Sequence, residues 1–265
     1  MLELRYRDGT HAVKARLRLD GREVEVDLSR PIEIALPLNF DATQPRHFGA
    51  PAATTQAFAV PGFSGSVARG ASCNCNVITL IPHCNGTHTE CVGHLTTEPL
   101  DAYRLAPKGL IPAVLISIEP TDATRESTDP APQPGDKLIT RTALERHWPR
   151  DFQPRAVVIR TRSGPGPYFS REAAEFLVAR GIEHLVVDLP SIDRAHDEGR
   201  LTAHRVFFGL PRDATTSTVA TRAHTTVTEF AYIPPNVPDG PYLLEIQVPA
   251  ISGDAVPSRP LLYPI

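Results

Sequence analysis

The sequence predicts an α/β fold, one mixed sheet layered with helices. Short apolar runs of strand length recur at 111–118 (IPAVLISI), 156–161 (AVVIRT) and 184–190 (HLVVDLP). Between the last two lies SREAAEFLVARG (170–181), which carries its own helix start and stop, so strand, helix and strand line up as a parallel βαβ unit. A chain of 265 residues with 41% hydrophobic content is also long enough for a sizeable core without disulfides or structural metals. There is no internal repeat, and no linker divides two composition classes, so residues 1–265 read as one domain.

From the N-terminus, residues 2–37 alternate in character and are broken by Asp8-Gly9 and Asp20-Gly21, which predicts a β-meander. Residues 38–72 are rich in Pro, Ala and Gly with little periodicity and read mainly as loop. The apolar stretch from Phe58 to Ser66 within them suits an entrance or a subunit contact. NVITLIP (76–82) reads as a strand, and EPTDATRESTDPAPQPGD (119–136) as an exposed loop. LITRTALERHW (138–148) is helix-like with Thr140 as N-cap. In the 170–181 helix Ser170 caps, Glu172 and Glu175 occupy the early turns, and Gly181 ends the run. TTVTEFAYIP and PYLLEIQVPA look like two further strands.

Charge and composition narrow the function. The net charge of -3, with both signs mixed along the chain, gives no nucleic-acid footprint and no basic membrane-binding surface. No stretch approaches the ~20 apolar residues of a membrane span, and MLELRYRDGTH lacks a signal-peptide core; a soluble, cytoplasmic protein is expected. Proline, at 27 residues, is about twice its usual ~5% and implies many fixed turns. Cys73, Cys75, Cys84 and Cys91 crowd into one region, where disulfide staples would be spread out, and their spacing does not match paired C-x-x-C zinc knuckles.

The stretch HCNGTHTECVGH (83–94) concentrates three histidines, a glutamate and two cysteines. His88 and Glu90 are separated by one residue and share a face if the segment is a strand. Imidazole and carboxylate together suit a divalent ion such as zinc or manganese. His94, four beyond Glu90, is a further ligand or a general base. Gly86 is expected to turn the backbone sharply. The competing reading is a polar loop with satisfied histidines, and Cys91 near His94 also admits a Cys-His nucleophile pair.

The residues Gly86-Thr87-His88-x-Glu90-x-x-x-His94 resemble the H-x-G-T-H-x-D-x-P-x-H signature of the cyclase family, which includes bacterial kynurenine formamidases and isatin hydrolases. Further resemblances run in order along the chain: Asp27-Leu28-Ser29 before a Pro, Asp188-Leu189-Pro190-Ser191-Ile192-Asp193, Ala203-His204, Glu229 ahead of a Pro-rich segment, and Ser258-Arg259-Pro260. The resemblance implies a swivelling β/β/α fold and one or two divalent ions, zinc or manganese. It implies His88 as a first-metal ligand, Glu90 in the place of the aspartate that bridges or shares the metals, and His204 with Glu229 completing a second site. His94 would be the catalytic histidine, moving a proton to the leaving group while metal-activated water attacks a carbonyl carbon. A small-molecule amide or formamide substrate and a homo-oligomer are likewise implied.

The sequence departs from the signature at several positions. Where the family has its first histidine this chain has Cys84, with His83 one residue back; either is a candidate ligand. Glu90 is one methylene longer than the family's aspartate, and Val92-Gly93 replaces Pro-x. His224 lies between His204 and Glu229 and is an alternative to them. These changes keep open a metal-binding member of the fold without turnover. His11, His47, His147, His184 and His196 read as surface or structural, Asp188 and Asp193 as braces of loops and ligands, and Arg160 and Arg162 as a solvated face or a contact to an acidic substrate.

Overall fold

The computed structural model describes residues 13–19, 21–122, 126–162 and 166–265. Nine strands form one mixed sheet: β1 (Ile32–Glu33), β2 (His88–Glu90), β3 (Ile111–Ile118), β4 (Ala156–Thr161), β5 (His184–Val187), β6 (Thr226–Glu229), β7 (Gly240–Gln247), β8 (Ala255–Pro257) and β9 (Arg259–Pro264). Their spatial order is β8-β2-β6-β5-β4-β3-β7-β9-β1. The four central strands β6, β5, β4 and β3 run parallel, and every outer pairing is antiparallel. Among the described residues five short α-helices accompany them: α1 (Pro82–Asn85), α2 (Ala102–Leu105), α3 (Arg141–His147), α4 (Arg171–Ala179) and α5 (Thr202–Phe208).

The apolar runs are explained by burial on both faces of the sheet. Val114, Ile116 and Ile118 of β3, Val157 and Ile159 of β4, and Leu185 and Val187 of β5 share one core with Leu144, Phe176, Leu177, Phe207 and Phe208 from the helices. The alternate residues Ala113, Leu115, Ala156, Val158 and Val186 enter a second core with Ile34, Tyr242, Leu244, Ile246 and Leu262. The period of two thus divides each strand between two buried layers. The expected βαβ unit is β4–α4–β5, with β4 and β5 parallel. Ser170 accepts from the Ala173 amide and Thr140 from the Ala143 amide, the two N-caps read from the sequence.

Of the expected meander, residues 1–12 and Asp20 lie outside the described residues. The remainder is a hairpin, Lys14–Leu19 with Arg22–Asp27, followed by β1 at the sheet edge. Val26 seats the hairpin against Leu243, Leu261 and Tyr263. The stretch read as loop at 38–72 holds strand Thr54–Ala57, which pairs with Asn76–Thr79, and a small hairpin, Ala59–Val60 with Phe63–Ser64. Both strands of the first pair are largely exposed, so no burial imposes an alternation that the sequence would display. Arg160 is not on a solvated face: it is buried, and its guanidinium pairs with Asp239 (2.9 Å), Ser117 Oγ (2.9 Å) and the Pro234 carbonyl (2.7 Å). Among the described residues no helix is long and apolar enough to cross a membrane.

Candidate metal centre

Strand register assembles the centre. On the antiparallel β2–β6 pair, Glu229 lies opposite His88 and Val227 opposite Glu90. Thr89, facing the other way, meets Thr228 through their hydroxyls at 2.7 Å, so His88 and Glu90 point together to the helix side. On the other edge of β2, Ala255 of β8 pairs with Glu90 and Pro257 with His88, which brings the preceding residue, Asp254, to the same place. Helix α5 supplies His204, and the single turn α1, begun by Pro82, supplies His83. The turn Val92–Leu95 carries His94.

Five of these side chains converge. His204 Nε2 is 2.6 Å from Glu90 Oε1 and 3.4 Å from Glu229 Oε1. His88 Nε2 is 3.5 Å from Glu229 Oε2 and 3.9 Å from Glu90 Oε2. His83 Nδ1 is 2.9 Å from Glu90 Oε2. Possible ligand atoms of His88, Glu90 and Glu229 lie within 4.8 Å of one another, as do those of His83, Glu90 and His94. Glu90 belongs to both groups. Cys84 belongs to neither, although it is buried on the same turn as His83. His224 is exposed and outside the cluster.

The donor set fits a divalent ion. His88 Nε2, Glu90 Oε1 and His204 Nε2 are buried and, among the described residues, have no aligned hydrogen-bond partner; the 2.6 Å approach of His204 to Glu90 is a bent charge contact. Buried polar atoms without partners are rare, and several facing one another mark a missing ion or water. Each of these histidines is held from behind by its other ring nitrogen. His204 Nδ1 lies 2.6 Å from Asp193 Oδ2, His88 Nδ1 3.0 Å from the Gly86 carbonyl, and His83 Nε2 2.8 Å from Asp254 Oδ2. That is the outer arrangement metal-bound imidazoles require.

Charge follows the same logic. Burial opposes ionisation of Glu90, yet His94, His204 and His83 hold its carboxyl well below the usual range. Glu229 is also lowered: burial and the Glu90 charge push it up, but the His204 and His88 imidazoles 3.4 and 3.5 Å from its oxygens outweigh them. Burial alone would depress His83, but Asp254 and Glu90 raise it to about 10. Burial likewise disfavours charge on His204, and Glu90, Asp193 and Glu229 raise it well above the ordinary imidazole value. Without an ion, protons on these two histidines balance two buried carboxylates.

Sequence reasoning missed two features, Asp254 and the backbone at Gly86. Asp254 reaches the centre only through the β8–β2 register, which no local pattern announces. His47 is structural, within the surface-or-structural reading: half-buried, with its ring 6.1 Å from Phe230, itself 6.2 Å from the His88 ring. Gly86 makes no sharp turn: its backbone is extended, at φ 160°. Asp193 and Asp188 are braces, as expected. Asp193 accepts from the Ala203 and His204 amides (2.7 and 3.1 Å) as well as holding the ring, and Asp188 accepts from the Thr161 amide and hydroxyl (2.8 and 3.0 Å).

The family model described as putative cyclase matches residues 26–194. No curated protein matches the chain. Among solved structures, one described as a predicted metal-dependent hydrolase from Bacillus stearothermophilus superposes with a TM-score of 0.56 at 16% identity, covering 88% of this chain and 98% of its own. Isatin hydrolase A from Labrenzia aggregata gives 0.56 at 17%, covering 88% and 93%. Isatin hydrolase A from Ralstonia solanacearum gives 0.52 at 16%, covering 88% and 91%.

Proposed function

Because the chain belongs to the putative cyclase family, we propose that it is a metal-dependent hydrolase that cleaves an amide, formamide or cyclic-amide C–N bond of a small molecule. The observation that carries this reading is the set of three buried atoms, His88 Nε2, Glu90 Oε1 and His204 Nε2, that face one another without an aligned hydrogen bond, beside a partly exposed histidine. A divalent ion, zinc or manganese, would supply Lewis acidity toward a carbonyl oxygen and a water of lowered pKa. His83, His88, Glu90, His204 and Glu229 would hold one such ion or two. His94, with 29% of its side chain exposed against 24% for His83, is the more accessible imidazole and would carry the proton to the leaving nitrogen. Its ring stands 5.8 Å from that of His204 and 4.2 Å from that of His83, so the proton carrier borders the ligands. The isatin hydrolases among the similar folds favour a cyclic amide as the first probe.

Isatin hydrolysis by the zinc- or manganese-loaded protein tests the proposal. His94→Ala is expected to keep its metal and lose at least ~100-fold in kcat/KM, and chelation is expected to abolish the wild-type rate. A His94→Ala variant as fast as wild type would remove His94 from the reaction. A wild type that binds the ion but hydrolyses neither isatin nor an N-formyl arylamine would leave a metal-binding protein without turnover.

A further inference from the structure

We infer that Asp254 is a positioning residue for the centre, orienting both His83, so that Nδ1 of its ring faces the ligand cluster, and His94, whose Nδ1 it engages. One oxygen does both: Asp254 Oδ2 is 2.8 Å from His83 Nε2 and 3.4 Å from His94 Nδ1. The two rings are 4.2 Å apart and inclined by only 31°, a near-stack that repels when both carry charge and that a shared carboxylate holds together.

The backbone around Asp254 is fixed independently of its side chain. Its carbonyl accepts from the Cys91 amide at 3.0 Å, and the Gly253 amide donates to Asp101 Oδ1 at 3.1 Å. The carboxylate is therefore presented from a built position. Asp193 does the same for His204 from the buried side, yet Asp193 serves one histidine while Asp254 serves two. A metal-bound imidazole is tuned by the acceptor on its other nitrogen, and removing that acceptor typically costs ~10–100-fold in metal affinity. Asp254 so joins a candidate ligand to the candidate proton carrier through one oxygen.

The inference rests on the metal-centre reading and is tested without a substrate. Zinc affinity is measured by chelator competition on the wild type, Asp254→Asn and Asp254→Glu, with the thermal unfolding of each zinc-free protein as the folding control. Asp254→Asn is expected to bind zinc ~10–100-fold more weakly while its zinc-free form still unfolds in one cooperative transition, and Asp254→Glu to recover part of the loss. Long-range 1H–15N spectra of the zinc-loaded proteins should show His94 protonated at Nδ1 in the wild type and redistributed in Asp254→Asn, with His204 unaltered. Wild-type affinity and an unchanged His94 tautomer in Asp254→Asn would overturn the inference while leaving the metal centre standing. A wild type that binds no zinc or manganese would overturn both.

Discussion

Glu90 shows how one buried charge organises the centre. At 1% exposure an isolated carboxylate would neutralise itself, and this one stays ionised because imidazoles meet both its oxygens. Glu90→Gln keeps the shape and removes the charge, so loss of zinc affinity should exceed the ~10–100-fold of an outer partner, read by chelator competition. The cysteines make a contrasting case. Cys91 is fully buried, its thiol pushed up to about 12 mainly by burial, and it donates to the Leu100 carbonyl at 3.6 Å. Such a thiol is a poor nucleophile. Iodoacetamide on the native protein is expected to label the exposed Cys73 and Cys75 and to spare Cys91 and the buried Cys84, as read by peptide mass spectrometry. Labelled Cys91 in folded protein would revive the Cys-His reading. At this scale the local signals were legible: His88, Glu90 and His94 sit within one strand and the next turn, where period-two reasoning applies. Asp254 was not, because its position depends on a strand pairing made far along the chain.

Elements hold those residues at a distance. Helix α5 carries His204 and ends at Gly209, whose φ of +63° suits glycine and where a β-carbon would overlap Thr221 Oγ1 and press on the Arg222 backbone. Gly209→Ala is expected to cost about 1–3 kcal/mol, measured by urea denaturation, and to weaken zinc binding because His204 rides on the distorted helix. Asn85 is a brace of another kind. Its buried amide donates to the Pro45 and Pro51 carbonyls (3.3 and 3.0 Å) and accepts from the Ile81 amide at 2.7 Å, pinning the 45–51 loop to α1. Asn85→Ala should destabilise by about 2–3 kcal/mol, since it strands buried partners; a loss under ~0.5 kcal/mol in the same denaturation experiment would mean that water replaces the amide. Elements β3, β4, α4 and β5 were readable from the sequence because burial on both faces and side-chain caps leave a local signature. The strand Asn76–Thr79 was read within NVITLIP, but the one-turn α1 and the partner strand Thr54–Ala57 were not, the first being too short for a period and the second having no buried side.

For the whole molecule, the mixed sheet brings β2, β6, β8 and α5 to one edge, and the centre exists only in the folded chain. Stability should therefore respond to metal, rising with free zinc by RT ln(1 + [Zn]/Kd). It should also respond to pH through His184, which is buried at the start of β5, hydrogen-bonded to Thr226 Oγ1 at 2.9 Å, and depressed by burial to about 4. Since its folded pKa is below the unfolded ~6.5, the unfolded chain binds more protons between those values, and stability is lost as pH falls from about 6.5 to 4. The full effect is about 3 kcal/mol. His184→Gln is expected to flatten that part of the stability–pH curve relative to wild type; parallel curves would contradict the assignment. The α/β layering was legible because it follows from alternating apolar runs and a capped helix. The edge assembly of the centre was legible only through family resemblance, since β2, β6 and α5 meet by tertiary packing.

The central claim is that His88, Glu90, His204, Glu229 and His83 form a metal centre. Its most direct test is elemental mass spectrometry of the purified protein after reconstitution with zinc or manganese, on wild type and His88→Ala side by side. One or two ions per wild-type chain, with a clear fall in His88→Ala, is the expected result. No stoichiometric metal on the wild type, or equal metal on both proteins, would contradict the account.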